Sequence, residues 1–215
     1  MSFSVILSSM AEGMERSVGI FFLTLIFSLP LGFLIAFGRM SKNKLLQAIA
    51  RFYISVLRGT PLMLQLMVVY FAPYYLFGFS IGNWRYPAII VGFVINYSAY
   101  FAEIYRSGIE AIPKGQYEAA GILGYNRIQT FMKIILPQVI KIILPSVTNE
   151  IITLVKDTSL AFSLSYMEMF SIAKQIAARE TTLMPFAIAA LFYYVFNLLV
   201  SIIMEWIEKR MNYYR

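Results

Sequence analysis

The chain alternates long uncharged runs with short charged punctuation. Residues 17–38 carry no charge and lie between Arg16 and Arg39. A second run, 59–84, lies between Arg58 and Arg85. A third covers 86–102 and can continue as helix past Glu103 to about Ser107. Another fills 181–204, up to Glu205. Each approaches or exceeds the roughly 20 apolar residues that a membrane-crossing helix needs. A further run, 134–156, is mostly Ile, Leu and Val but holds Lys141 and Glu150 and reaches Asp157. Ionisable groups at membrane depth are costly and normally face protein or a water-filled cavity. The pattern therefore predicts five spans, at about 15–40, 56–80, 86–107, 134–157 and 182–207, with the fourth lining something polar. Residues 159–167 are apolar but too short to cross, and read as a re-entrant turn or interfacial helix. At the start, Phe3, Ile6, Leu7, Met10 and Met14 keep helical spacing, which predicts a helix lying along the interface.

Composition agrees. Of 215 residues, 60% are hydrophobic and 13% charged. A water-soluble core of this size cannot bury that much apolar surface. The fold class expected is all-α, a polytopic membrane protein of one domain over residues 1–215. With no Cys and no His, disulfides, thiolate or imidazole metal sites and His- or Cys-based triads are excluded. Asp157 is the sole Asp, so a paired-aspartate protease is excluded as well. No phosphate-binding G-x-x-x-x-G-K-[ST] loop is present, so the chain does not hydrolyse nucleotide by that route. The net charge of +7 is read as a topology signal and not as a nucleic-acid footprint. With the five spans above, 13 of the 18 Lys and Arg fall on one side. That side is expected to be cytoplasmic, with the N-terminus outside and the C-terminus inside. Trp84, Tyr74, Tyr75 and Tyr86 fit an outer aromatic belt, and Tyr213 and Tyr214 an inner one.

The largest cytoplasmic segment, 108–133, contains Ile112-Pro113-Lys114-Gly115-Gln116-Tyr117-Glu118-Ala119-Ala120-Gly121-Ile122-Leu123-Gly124. Pro113 fits a helix start and Gly124 a helix end, and the alanines keep the helix slim. The spacing from Glu118-Ala119-Ala120 through Gly124 to Ile134 and Leu136-Pro137 resembles the EAA loop of bacterial ABC-importer permeases. Arg58-Gly59-Thr60-Pro61-Leu62, Ala102-Glu103-Ile104-Tyr105-Arg106 and Lys156-Asp157-Thr158-Ser159-Leu160 resemble the polar amino-acid uptake subfamily, and the likeness spans residues 15–210. It implies a type I importer permease fold in a bacterial inner membrane, working by alternating access. The implied partners are a second permease subunit (identical or closely related), an ABC ATPase dimer and an extracytoplasmic solute-binding protein. Glu118, Ala119, Ala120 and Gly124 would couple to the ATPase. ATP and Mg would be bound by that partner, leaving no cofactor in this chain.

Substrate residues are sought among polar groups at depth. Glu150 and Asp157 are seven residues apart. Seven helical steps of about 100° fall about 20° short of two turns, so both carboxylates share a face. Asn96-Tyr97-Ser98 forms a polar cluster in the third span, and Pro61 interrupts the second beside Leu62. Asn96, Tyr97, Glu150, Asp157 and Leu62 are thus the expected substrate-path residues, and the carboxylates favour a basic amino acid. The structural alternatives are interhelical bonding for Asn96 and Glu150, and a helix cap for Asp157. An ion-coupled secondary transporter or channel using Glu150 and Asp157, needing no ATPase, is the competing function. Glu103 and Arg106 are expected to pair. Gly32 and Ala36 form a small-xxx-small pair for close helix crossing.

Overall fold

The computed structural model describes residues 2–80 and 82–211; Tyr213 and Tyr214, assigned above to an inner aromatic belt, lie outside them. The described chain is all helix: α1 (Phe3–Arg39), α2 (Lys44–Gly59), α3 (Leu62–Phe77), α4 (Arg85–Glu110), α5 (Lys114–Ile122), α6 (Arg127–Thr130), α7 (Leu136–Asp157), α8 (Met169–Glu180) and α9 (Met184–Met211). A five-residue π turn, Phe131–Ile135, joins α6 to α7, and a 3₁₀ turn, Thr158–Leu164, follows α7. Four helical stretches are long and apolar enough to cross a membrane, or five if the bent pair α2 and α3 counts as one.

Three expectations are corrected. The N-terminal segment is not a separate interfacial helix: α1 runs unbroken for 37 residues. At 1.5 Å per residue that is about 55 Å, well beyond a hydrocarbon core of about 30 Å. Ile6 and Met10 pack on Met169, Ile172 and Ala173 of α8, and this contact holds the extension to the bundle. The second span is not one helix from 56 to 80. It breaks at Thr60–Pro61, where α2 and α3 bend by 113°. Proline cannot donate to the preceding turn, and it pushes Thr60 into extended backbone (φ −124°, ψ 150°). The helix leading into the fourth span begins at Arg127, not near 134, because Asn126 and Gln129 form a reciprocal capping box.

The centre of the bundle is α1 against α4. Ser17, Thr24, Ser28, Gly32 and Ala36 recur near every fourth position and are all buried. This stripe of small side chains lets the two backbones approach. Gly32 is the tightest point: a Cβ there would lie 2.8 Å from Phe101 Cβ and 3.0 Å from the Ser98 carbonyl oxygen. The pair with Ala36 therefore serves internal packing. The main apolar cluster joins Ile20 and Phe21 to Leu66, Ile89, Phe93, Phe101, Leu154 and Val155.

Residues 168–180, to which the hydropathy pattern assigns no element, contain α8. Glu168 caps it, accepting from the Phe170 and Ser171 N–H groups at 2.7 Å each. The Tyr193 hydroxyl donates to the same carboxylate at 3.2 Å, tying α8 to α9. Arg16 Nη1 donates to the Met167 carbonyl at 2.8 Å, tying the loop to α1. Glu168 is fully buried, and burial pushes its carboxyl above the usual glutamate range despite those donors.

Two measurements follow. Gly32→Val is expected to lower the thermal midpoint of the detergent-solubilised chain, with an overpacking cost of about 1–3 kcal/mol. Gly115→Ala, where nothing lies within 4 Å, leaves the midpoint unchanged or raises it. An acid whose native pKa lies above its unfolded value weakens the fold as pH rises through the interval between them. The midpoint difference between wild type and Glu168→Gln should therefore shift against wild type from pH 4 to pH 8. A pH-independent difference refutes that assignment.

Candidate functional site

The break between α2 and α3 strips carbonyls of their helical donors. Thr60 Oγ1 donates to the Val56 carbonyl at 2.8 Å. The Gln65 amide group reaches back from α3 to the carbonyls of Leu57 (2.9 Å) and Thr60 (3.0 Å) and to Thr60 Oγ1 (2.8 Å). Asn96 of α4 completes the arrangement. Its Nδ2 donates to Gln65 Oε1 at 2.9 Å and to the Leu57 carbonyl at 3.2 Å. Tyr53 is held one turn away, its hydroxyl 2.7 Å from both the Ile95 carbonyl and Ser98 Oγ. Asn96 is only 4% exposed, so it braces the broken span from within. Leu62 is the first residue of α3 and packs, half-buried, on the main core.

The other polar group at depth lies on α7. Ser146, Asn149, Thr153 and Lys156 are exposed, and Glu150 and Asp157 half-buried. Their spacing (i, i+3, i+4, i+7, i+10, i+11) makes one polar stripe along a spanning helix. The helix continues through both carboxylates, so they do share a face. Asp157 is not a cap: it makes no cap bond to the turn after α7. Its Oδ2 instead accepts the Tyr97 hydroxyl at 2.7 Å, across from α7 to α4. Tyr97 is buried, so its ring supports the carboxylate from behind. The opposite face of α7 is tied to α9 by Thr148 Oγ1, which donates to Glu208 Oε1 at 2.8 Å.

At the other end, α5 stands away from the bundle. Glu118 and Ala119 are exposed, and Ala120 is the one buried residue of the helix. Gly124 ends it in the left-handed region (φ +79°). The Gly124 N–H bonds the Gly121 carbonyl and the Tyr125 N–H the Ala120 carbonyl, a Schellman closure that favours glycine at that position. Ile122, Leu123 and Ile128 are 87%, 72% and 76% exposed, an apolar patch of the kind that marks a protein contact. The segment is nonetheless anchored. Ile112 packs with Ile109, Ile135 and Val139, where the C-terminal end of α4 meets the start of α7. Arg106 bridges Glu103 and Glu110 where α4 ends, in keeping with the expected Glu103–Arg106 pair.

Asn96, Tyr97, Glu150 and Asp157, singled out in the sequence, all lie in these two polar groups, which also include Gln65 and Tyr53, not singled out there. Gln65 had a signal, being the sole Gln, Asn or charged residue between Gly59 and Gly82. Tyr53 had none, since an aromatic on an amphipathic helix reads as packing. Among the described residues no group of three or more Asp or Glu is placed to hold a metal.

The family model described as "binding-protein-dependent transport system inner membrane component" matches residues 28–213. The putative glutamine transport system permease protein GlnP of Rickettsia felis is 39% identical over 191 residues, covering 88% of this chain and 86% of that one. The arginine transport system permease protein ArtQ of Bacillus subtilis is 38% identical over 202 residues, covering 94% and 91%. Among solved structures, an amino acid ABC transporter crystallised with histidines superposes with a TM-score of 0.86 at 32% identity, covering 98% of this chain and 99% of that one.

Asn96→Leu is expected to lower the unfolding midpoint, because it leaves the Leu57 carbonyl and the Gln65 amide oxygen short of donors at a cost of about 1–3 kcal/mol. Glu150→Gln, which removes a half-buried charge, should leave the midpoint unchanged or raise it. Equal effects of the two changes would contradict this division between brace and open face.

Proposed function

The chain belongs to the family of inner-membrane components of binding-protein-dependent transport systems, as an amino-acid ABC importer permease, and from that premise we propose that it forms half of an alternating-access path for a polar, basic amino acid. The second half is another permease subunit, identical or closely related. The observation that carries this reading is the exposed polar stripe of α7. A spanning helix that presents Asn149, Glu150, Thr153 and Asp157 outward is unstable against lipid and needs water, solute or another polar chain. Two such stripes across a shared axis give a lined path.

Glu150 attracts the cationic groups of the solute. Asp157 does the same with its oxygen oriented by Tyr97, while Asn96 holds α3 against α4 so that Leu62 and the span break border the path. On the cytoplasmic side, Glu118, Ala119, Ala120 and Gly124 form the knob that a separate ATP-hydrolysing subunit grips. The cluster of Ile109, Ile112, Ile135 and Val139 passes its displacement to α4 and α7 together. An external solute-binding protein delivers the solute. The sign of the loop charges supports an outside N-terminus and a cytoplasmic C-terminus. Membership of this family disfavours the ion-coupled alternative, which has no use for an exposed apolar knob.

The test is uptake in proteoliposomes containing the chain with its ATPase partner and binding protein. Deleting Glu118-Ala119-Ala120 should abolish ATP-dependent uptake, and the chain alone should neither cleave ATP nor move solute. Glu150→Gln should reduce uptake of L-arginine or L-lysine about tenfold or more, the scale of one lost charged contact. Unchanged uptake in Glu150→Gln would end the cation-site reading. Flux through the chain alone would favour the ion-coupled alternative.

A further inference from the structure

Arg58 is a charged residue outside both polar groups described above. It closes the last turn of α2, immediately before the span break, and its side chain is exposed. The guanidinium carbon lies 5.2 Å from the centroid of the Tyr100 ring. Tyr100 is near the midpoint of α4, and its ring centroid is 6.3 Å from that of Tyr97. The Tyr97 hydroxyl in turn holds Asp157. A guanidinium, two rings and a carboxylate thus follow one another across α4, with Glu150 two turns before Asp157 on α7.

Among the described residues, the Arg58 guanidinium has no hydrogen-bond or ion-pair partner, and neither has the Glu150 carboxylate. Glu103 lies about one turn beyond Tyr100 on α4. The Glu103 oxygens are already taken by Arg106. Arg58 is one of the 13 charges counted on the cytoplasmic side, but its contact with Tyr100, near the midpoint of α4, instead holds the guanidinium inward at the middle of a span, away from the interface to which a lipid-facing arginine would extend. Held over a ring, the planar group still has its fork of N–H donors to offer, and a carboxylate is the anion whose geometry matches that fork in two parallel bonds.

We propose that Arg58 binds the α-carboxylate of the transported amino acid, opposite Glu150 and Asp157, which take its cationic groups. This rests on the reading of the α7 face as the solute path. The charges complement: two carboxylates and one guanidinium on the protein meet two cationic groups and one carboxylate on a basic amino acid. The α2–α3 break has a purpose in this arrangement. It lets α2 end at mid-depth, so that an arginine in its last turn borders the path.

The test uses the permease assembled with its ATP-hydrolysing partner, nucleotide-free and without binding protein, so that selection by the delivery protein does not enter. Equilibrium binding of radiolabelled L-arginine is compared with that of agmatine, the same molecule without its carboxylate. Wild type should prefer L-arginine by about tenfold or more, the scale of a charge-assisted pair. Arg58→Ala should bring L-arginine down to the agmatine level and leave agmatine where it was. Arg58→Lys, which keeps the charge and loses the fork, should fall between. Glu150→Gln should weaken both ligands. Equal wild-type affinity for the two ligands, or a preference that survives Arg58→Ala while Glu150→Gln weakens both, overturns the role of Arg58 and leaves the path reading standing. No L-arginine binding in wild type, or no effect of either variant, overturns the path reading and this proposal with it.

Discussion

A backbone carbonyl inside a membrane must find a donor within the protein, because lipid offers none. The break at Thr60–Pro61 creates that demand at the middle of the second span, and the rest of the site is arranged around meeting it. Gln65 turns its amide back onto Leu57 and Thr60, and Asn96 binds both Gln65 and Leu57. The same bonds fix where α4 stands relative to α2 and α3. The register of α4 then sets Tyr97 toward Asp157 and Tyr100 toward Arg58. A straight second helix would need none of these amides. It would also carry Arg58 into its interior, with no helix end from which to present it.

The two ends of the bundle differ in how firmly they are held, and the difference follows the work assigned to each. At the core, α1 and α4 meet through small residues, a contact that tolerates no added atom at Gly32. At the other end, α5 keeps a single buried residue, and Ile122 at its close is exposed together with the following Leu123 and Ile128. What joins this loose helix to the rigid bundle is the Ile109–Ile112–Ile135–Val139 cluster and the π turn just before α7. A π turn inserts a residue into the helical repeat and is often found where function requires a local change of register. A displacement of α5 therefore acts on α7 at its first turns. The polar stripe lies on the same helix, so on the proposed reading a motion of the knob is carried to the stripe.

Much of this was legible in the residues. Uncharged runs located α1, α4 and α9 to within a few residues at most ends, because a spanning helix is bounded by the charges it cannot bury. Seven-residue spacing placed Glu150 and Asp157 on one face without reference to any neighbour. What the sequence hid depended on partners far along the chain. The break at Pro61 was visible, but its consequence, a 113° bend, required Gln65 and Asn96 to satisfy the exposed carbonyls. Asn96 looked equally suited to solute or to structure, and only its burial between α2, α3 and α4 separates the two. Helix α8 was missed because Lys174, Arg179 and Glu180 interrupt the hydropathy that marked the other helices. Its signal was the capping residue Glu168, which has meaning only with Tyr193 and the α8 amides beside it.

The charges of the α7 face also bear on what the working unit is. In a single chain, Glu150 and Asp157 open onto the surface of a spanning helix, and lipid there would have to solvate two carboxylates. That cost, at least about 2.5 kcal/mol for each by the most lenient scales, is offset by hydrogen bonding within one chain only at Asp157, through the hydroxyl of Tyr97. It is relieved when the face borders water, and in a membrane a water-filled path needs a second wall. On the proposed reading the second permease subunit, identical or closely related, supplies that wall, and the arrangement that stabilises the carboxylates then also makes the path. A polar face of this kind is costly against lipid, so on that reading assembly comes before transport in the physical order as well as in the functional one.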